Sequence, residues 1–135
     1  MSTAPPPDPD ALPLVLLAGA VPEGAQALLR EAGCRVRRAE TAAAVQRLAG
    51  SQPAPQLILL AETVAGQPGL GLLSRLKDDA ATRSIAVLYL AEGGDEELAL
   101  ALGAADCVTL PLRPLLLLAR VRVQLRLSAL DQVAA

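Results

Sequence analysis

The chain has 135 residues, of which 53% are apolar, and this is enough material for one compact domain with its own core. Its formal net charge is -2 and its pI is about 5.1, so no general basic field is present to attract nucleic acid or an anionic membrane. The absence of histidine excludes a zinc site of the ordinary type. We therefore expect one domain that has no ordinary zinc site and binds neither nucleic acid nor a membrane.

Residues 1–12 are rich in proline and aspartate and lack the basic residues that open a secretory signal. We interpret them as a disordered leader, followed by a domain at residues 13–131 and a short tail at 132–135. The apolar run Leu12–Val21 is too short to span a bilayer, which takes roughly 20 residues. It predicts a buried strand, and we expect the protein to be cytoplasmic.

The first half of the domain alternates apolar runs with helical patterns. Leu14–Leu17 is continuously apolar, which is typical of a strand covered on both faces. Pro22–Ala32 carries apolar residues at helical spacing, with proline in the first turn, and predicts a helix. Cys34–Ala39 is a more polar strand that suits a sheet edge, and Thr41 can cap a helix that ends at Leu48.

The second half repeats the alternation. The predicted strands are Leu57–Leu60, Ile85–Leu90 and Cys107–Leu110, and the predicted helices are Leu70–Asp78, Asp95–Leu102 and about Leu115–Asp131. Five strands alternating with five helices imply parallel pairing and helices on both faces of the sheet. Sheets of this kind place their functional site at the carboxyl ends of the strands, where the strand order reverses.

Several segments resemble the receiver domain of response regulators, the phospho-acceptor module of two-component signal transduction. They are Gln56–Lys77, Ala80–Val87, Leu102–Asp106 and Leu118–Arg122. The resemblance extends over nearly all of Leu14–Leu127. It implies an α/β fold with a five-stranded parallel sheet in the order 2-1-3-4-5, the flavodoxin-like (βα)5 three-layer sandwich.

The resemblance also implies where the chemistry of the family would stand. In that family an acidic pair after the first strand holds Mg²⁺, and an aspartate at the end of the third strand accepts the phosphoryl group. A Ser or Thr on the fourth strand and a Lys on the fifth strand contact the added phosphate. The matching residues here are Ala18 and Gly19, Ala61, Ala91 and Leu110. None of them offers a nucleophile, a metal ligand or a charge, so we expect a pseudo-receiver that uses no metal or cofactor and is neither phosphorylated nor an enzyme.

Acidic residues near these positions do not restore the missing chemistry. Glu62 follows the acceptor position, but neighbouring strand residues point to opposite faces, so it is at best a charge mimic. Glu92, Asp95 and Asp106 lie near strand ends, where acids usually cap helices or face water. An active acceptor that uses a displaced acid is therefore the weakest of the alternatives.

The cysteines give no separate site. Cys107 matches the position of an aromatic residue that reports the conformational state in many receivers. Under the same resemblance Cys34 and Cys107 lie on strands at opposite sides of one sheet, so they are not expected to form a disulfide within the chain. A lone cysteine without a nearby base is more commonly a small buried hydrophobe.

The positive indication of function is in the last helix, which carries two apolar faces. One face can close the core and consists of Leu117, Leu118, Val121 and Leu125. The second, the outer stripe, consists of Leu116, Val123, Leu127 and Leu130. A second apolar face marks an interaction surface, unless both faces are partly buried within the domain.

We therefore expect a protein-protein interaction or dimerisation module in signal transduction. Its partner is a second copy that binds through the last helix, or an unidentified protein, and the chain can be the N-terminal part of a larger regulator. The segment from Ala91 to Gly103 is shorter than in typical receivers, which predicts a short or displaced fourth helix. The alternative is a sensor that binds a small ligand in the vacated phosphorylation pocket.

Overall fold

The structure, a computed structural model, describes residues 12–134, and describes side chains as far as Leu130. Residues 1–11 of the predicted leader and residue 135 of the predicted tail lie outside this range. The strands are β1 Leu14–Ala18, β2 Arg35–Ala39, β3 Leu57–Ala61, β4 Thr63–Val64, β5 Gln67–Pro68, β6 Ala86–Ala91 and β7 Asp106–Thr109. The helices are α1 Glu23–Glu31, α2 Ala42–Ala49, α3 Gly69–Asp78, α4 Glu96–Ala101 and α5 Pro114–Ala134.

Five strands form one parallel sheet in the order β2-β1-β3-β6-β7. Strands β4 and β5 form a separate antiparallel hairpin. When only the strands of the large sheet are counted, the order is 2-1-3-4-5, and the predicted flavodoxin-like fold is confirmed. The most apolar strand, β3, lies at the centre of the sheet.

Two buried clusters cover the faces of the sheet, because successive strand residues point to opposite sides. Leu16 and Ile58 belong to the cluster beneath α2, α3 and α4. Leu17 and Leu59 belong to the cluster beneath α1 and α5. Each fully buried leucine contributes about 1.5–3 kcal/mol relative to an exposed one, so the continuous apolar strands supply most of the driving force for this fold.

Local signals set the helix ends. The Thr41 side chain accepts a hydrogen bond from the Ala44 N–H at 3.1 Å, which confirms the predicted cap of α2. Helix α4 has only six residues and is short, as the spacing to Gly103 predicts. Helix α5 continues to Ala134, past the predicted end near Asp131, and none of the helices described is long and apolar enough to cross a membrane.

The two cysteines stand as the resemblance implied. Cys34 is buried directly before β2, and Cys107 lies on β7 at the opposite edge of the sheet. Both are free thiols.

Candidate functional site

The five positions at which the receiver family carries its chemistry lie together at the carboxyl ends of the parallel strands. Ala18, Ala61 and Ala91 are the last residues of β1, β3 and β6, and all three are buried. Gly19 directly follows β1 and is also buried. Leu110 follows β7, where its N–H donates to the Ala91 carbonyl at 2.7 Å. The fold therefore brings the positions to the expected end of the sheet, with apolar residues at each of them.

These positions do not share one face of the sheet. Ala18 and Ala91 belong to the buried cluster on the side of α2, α3 and α4. Ala61 belongs to the cluster on the side of α1 and α5, and Leu110 packs against the same cluster. Each alanine is thus part of a hydrophobic core, where an ionised side chain would lose its hydration.

The end of β1 is covered by the hairpin of β4 and β5. Val64 is buried in the same cluster as Ala18, and the Thr63 carbonyl accepts a hydrogen bond from the Ala20 N–H at 3.2 Å. A Cβ atom built on Gly19 would lie 2.4 Å from the Thr63 oxygen and 2.8 Å from Val64 Cγ2. The space beside Gly19 is therefore filled by the hairpin.

The hairpin has its own fixed geometry. Its turn places Ala65 at φ 51° and Gly66 at φ 79°, both in the left-handed region that two-residue hairpin turns require. At its far end the Gly69 N–H donates to the Glu62 carbonyl at 2.7 Å. A Cβ on Gly69 would lie 2.2 Å from the Ala61 oxygen, so only glycine allows this close approach. The sequence does not predict this hairpin, whose strands have only two residues each.

Glu62 connects the ends of two strands. Its Oε2 atom accepts a hydrogen bond from the main-chain N–H of Glu92, the residue after β6. This contact joins the segment after β3 to the loop Glu92–Asp95 that leads into α4. The sequence places Glu62 beside the acceptor position, but it gives no indication of this partner.

Tyr89 is a buried residue of β6 to which the sequence assigns no role beyond its place in a strand. It lies beside Cys107 in the register of β6 and β7. Its hydroxyl has no hydrogen-bond partner among the described residues. Burial, together with the nearby carboxylates of Glu62 and Asp95, raises the pKa of Tyr89 to about 12. The side chain at position 107 is small, and the large aromatic ring stands on the neighbouring strand instead.

Charged groups around the site are not arranged as a metal centre. Within residues 12–130, no group of three His, Cys, Asp or Glu side chains is close enough together to hold a metal ion. Asp106 pairs instead with Arg120 of α5 at 3.5 Å, and its other oxygen accepts from the Cys107 N–H at 2.8 Å. Asp106 therefore connects the edge strand to the last helix.

Helix α5 presents the two faces that the sequence predicts. On the inner face Leu117 and Val121 are fully buried, while Leu118 and Leu125 are half-buried. Gln124 is also buried there, which the sequence did not indicate. The outer stripe is exposed, with 38%, 48%, 49% and 63% of the surface accessible at Leu116, Val123, Leu127 and Leu130. Leu115, outside that stripe, is 83% exposed.

The chain is similar in sequence to a longer transcriptional regulator. It is 39% identical over 79 residues to the phosphate regulon transcriptional regulatory protein PhoB of Klebsiella pneumoniae. The similarity covers 56% of this chain and 34% of that protein. The chain therefore corresponds to about a third of the length of the curated relatives that it matches, and no family model matches it.

Solved receiver domains have the same fold. The CheY-like response regulator receiver domain protein of Methanospirillum hungatei superposes with a TM-score of 0.77 at 18% identity, over 90% of this chain and 99% of that one. The signal receiver domain of a signal transduction histidine kinase from Syntrophus aciditrophicus gives a TM-score of 0.74 at 23% identity, over 84% and 90% of the two chains. The sequence similarity to PhoB and the shared fold together support a receiver domain of the two-component response-regulator type.

Proposed function

We propose that this chain is a pseudo-receiver: a receiver domain that is not phosphorylated, performs no catalysis and acts in signal transduction by binding protein. One observation carries the proposal. The residues at the ends of β1, β3 and β6 are alanines buried in the core, so the site holds no nucleophile and no ligand for a divalent ion.

The joint absence of all the polar residues agrees with the energetic cost of leaving one of them unpaired. A lysine or a carboxylate left at the carboxyl ends of these strands without its partners would be a buried charge without compensation, which is strongly destabilising. Uncharged, apolar residues at all five positions avoid that cost. The buried Val64 extends the same apolar packing over the end of β1.

The alternative of a ligand-binding sensor is less well supported. A ligand in the vacated site would need space near Gly19, and Thr63 and Val64 already lie within 3 Å of where a single Cβ would stand. Binding would require the hairpin to move and the Ala20 to Thr63 hydrogen bond to break. We therefore place the function on the surface of the domain.

The outer stripe of α5 is the proposed interface, and a second copy of the chain is its proposed occupant. Leu116, Val123 and Leu130 recur at intervals of seven residues, and Leu127 fills the gap between the last two. Apolar residues at this spacing are typical of helices that pair along their length. In a larger regulator the same helix pair would transmit the state of the dimer to whatever follows.

Treatment with acetyl phosphate and Mg²⁺, followed by intact mass measurement, tests the absence of phosphorylation. A phosphorylatable receiver treated in parallel serves as the positive control. We expect the control to gain one phosphoryl group and this chain to keep its mass. An acid-labile phosphoryl adduct on this chain would overturn the proposal.

Light scattering tests the interface. We expect the wild-type chain to be dimeric and Leu127→Arg to be monomeric, because a guanidinium would be placed in the centre of the stripe. Leu115→Arg is the matched control, since Leu115 is exposed on the same helix but lies outside the stripe. A monomeric wild type, or equal effects of the two substitutions, would refute the dimer.

A further inference from the structure

Glu62 makes a contact between two positions that matter in a receiver. It follows Ala61, the vacant acceptor position, and its carboxylate accepts from the N–H of Glu92. Glu92 follows Ala91, where the resemblance places the hydroxyl that contacts the phosphoryl group. The unmodified chain therefore already has an anionic side chain, after the end of β3, that hydrogen-bonds to the main chain after the end of β6.

We infer that Glu62 is a positioning residue that holds the loop Glu92–Asp95, and with it the start of α4, permanently in one place. It supplies by a fixed hydrogen bond the connection that a phosphorylated receiver makes only while its phosphoryl group is attached. The inference rests on the proposed function, because a permanent connection replaces a switch only in a chain that is not phosphorylated.

The loop depends on this anchor because little else holds it. Gly93 and Gly94 adopt φ values of 156° and 88°, and an added Cβ at either residue would meet no atom within 4 Å. Two consecutive exposed glycines have many accessible conformations. A hydrogen bond to a carboxylate is among the stronger ones available to such a loop.

The anchored loop controls two neighbouring features. It leads into α4, in which Ala99 is buried while Leu98 and Leu100 are about half exposed, so the position of the loop sets how this surface is presented. It also lies near Tyr89, whose hydroxyl is within electrostatic reach of Asp95. Release of the loop would therefore alter both the α4 surface and the environment of Tyr89.

Hydrogen exchange resolved by residue tests the inference, with Glu62→Ala and Glu62→Gln compared with the wild type. We expect the Glu92 amide to exchange about tenfold or more faster in Glu62→Ala, because the loss of a hydrogen bond to a charged group costs at least that factor. Glu62→Gln keeps an acceptor oxygen without the charge, so it should show a smaller increase. Amides of α2, which packs on the same face of the sheet but against β1 and β2, should keep their wild-type rates.

Glu97→Gln is the matched control, since it removes one negative charge from the exposed surface of α4 and the Glu97 side chain makes no hydrogen bond within residues 12–130. It should leave the Glu92 amide unchanged. Unchanged exchange at Glu92 in both Glu62 variants would overturn the inference, and so would an equal increase across the whole domain. The phosphorylation test reports on the proposed function alone, so its outcome and this one can be told apart.

Discussion

Val64 lies over Gly19 so closely that a Cβ on Gly19 would be 2.8 Å from Val64 Cγ2. Position 19 also has φ +83°, which favours glycine for a second, independent reason. The acidic pair of the family could therefore not be rebuilt at the end of β1 unless the hairpin were displaced. The apolar site and the covering hairpin form one structural unit.

Gly19→Ala should destabilise the fold by about 2 kcal/mol or more, because it adds a steric clash to the strain of a left-handed backbone. Gly33→Ala is the matched control: Gly33 has φ +91°, but a Cβ there would meet nothing within 4 Å. It should lose only the cost of the backbone strain, about 1–2 kcal/mol. Urea unfolding measures both, and equal losses would contradict the role of the hairpin.

Ala61→Asp should not restore phosphorylation. The new carboxylate would have neither the acidic pair to bind Mg²⁺ nor the lysine to neutralise the phosphate, and it would enter a buried position. We expect no adduct with acetyl phosphate and a lower free energy of unfolding. A stable adduct on this single variant would indicate that the remaining site is functional.

The ionisation of Tyr89 should make the fold less stable in alkali. Burial and nearby carboxylates raise the pKa of Tyr89 from 10.0 to about 12 in the native state, so between these values the unfolded chain loses a proton that the folded chain retains. The contribution of Tyr89 to the free energy of unfolding should therefore be fully present below pH 10 and be lost as the pH rises towards 12. Unfolding measured against pH checks this slope.

Tyr89→Phe is the control for that slope, because it removes the titrating group and keeps the ring. The free energy of unfolding should therefore decrease less between pH 10 and pH 12 in this variant than in the wild type. At neutral pH the variant should be as stable as the wild type or about 1 kcal/mol more stable, since it removes a buried hydroxyl that has no hydrogen-bond partner within residues 12–130. A clearly less stable variant would mean that the hydroxyl forms a bond in solution.

The two faces of α5 should respond differently to truncation. Leu117→Ala should cost about 2–5 kcal/mol, because Leu117 is fully buried in the core beneath α1 and α5. Leu127→Ala should change the unfolding free energy of the monomer by less than about 0.5 kcal/mol, since its side chain is exposed. Chemical unfolding at a concentration that keeps the chain monomeric compares them, and similar losses would show that the outer stripe also packs within the domain.

Much of the fold could be predicted from the sequence because its strongest signals are local. Continuous apolar runs such as Leu57–Leu60 require cover on both faces, and Thr41 caps its helix through a bond that spans only three residues. The positions of Ala18, Ala61 and Ala91 follow once the strands are aligned. They lie close together because the carboxyl ends of parallel strands are all at the same end of the sheet.

The contacts that define the site depend instead on long-range packing. The hydrogen bond from the Glu92 N–H to the Glu62 carboxylate joins residues 30 apart in the chain, and no local pattern encodes it. The hairpin of Thr63–Pro68 has strands of only two residues, which is too short for a periodic signal. The burial of Tyr89 beside Cys107 depends on the register of two strands, which the sequence alone does not fix.

Alkylation of the two cysteines can report local unfolding at the two edges of the sheet. Burial raises the pKa of both the Cys34 and the Cys107 thiols, although Arg122 partly opposes the shift at Cys34. Since the thiolate is the reactive form, the native chain should resist alkylation at neutral pH. Each thiol lies at a different edge of the sheet, so the order in which they react would reveal which edge separates first.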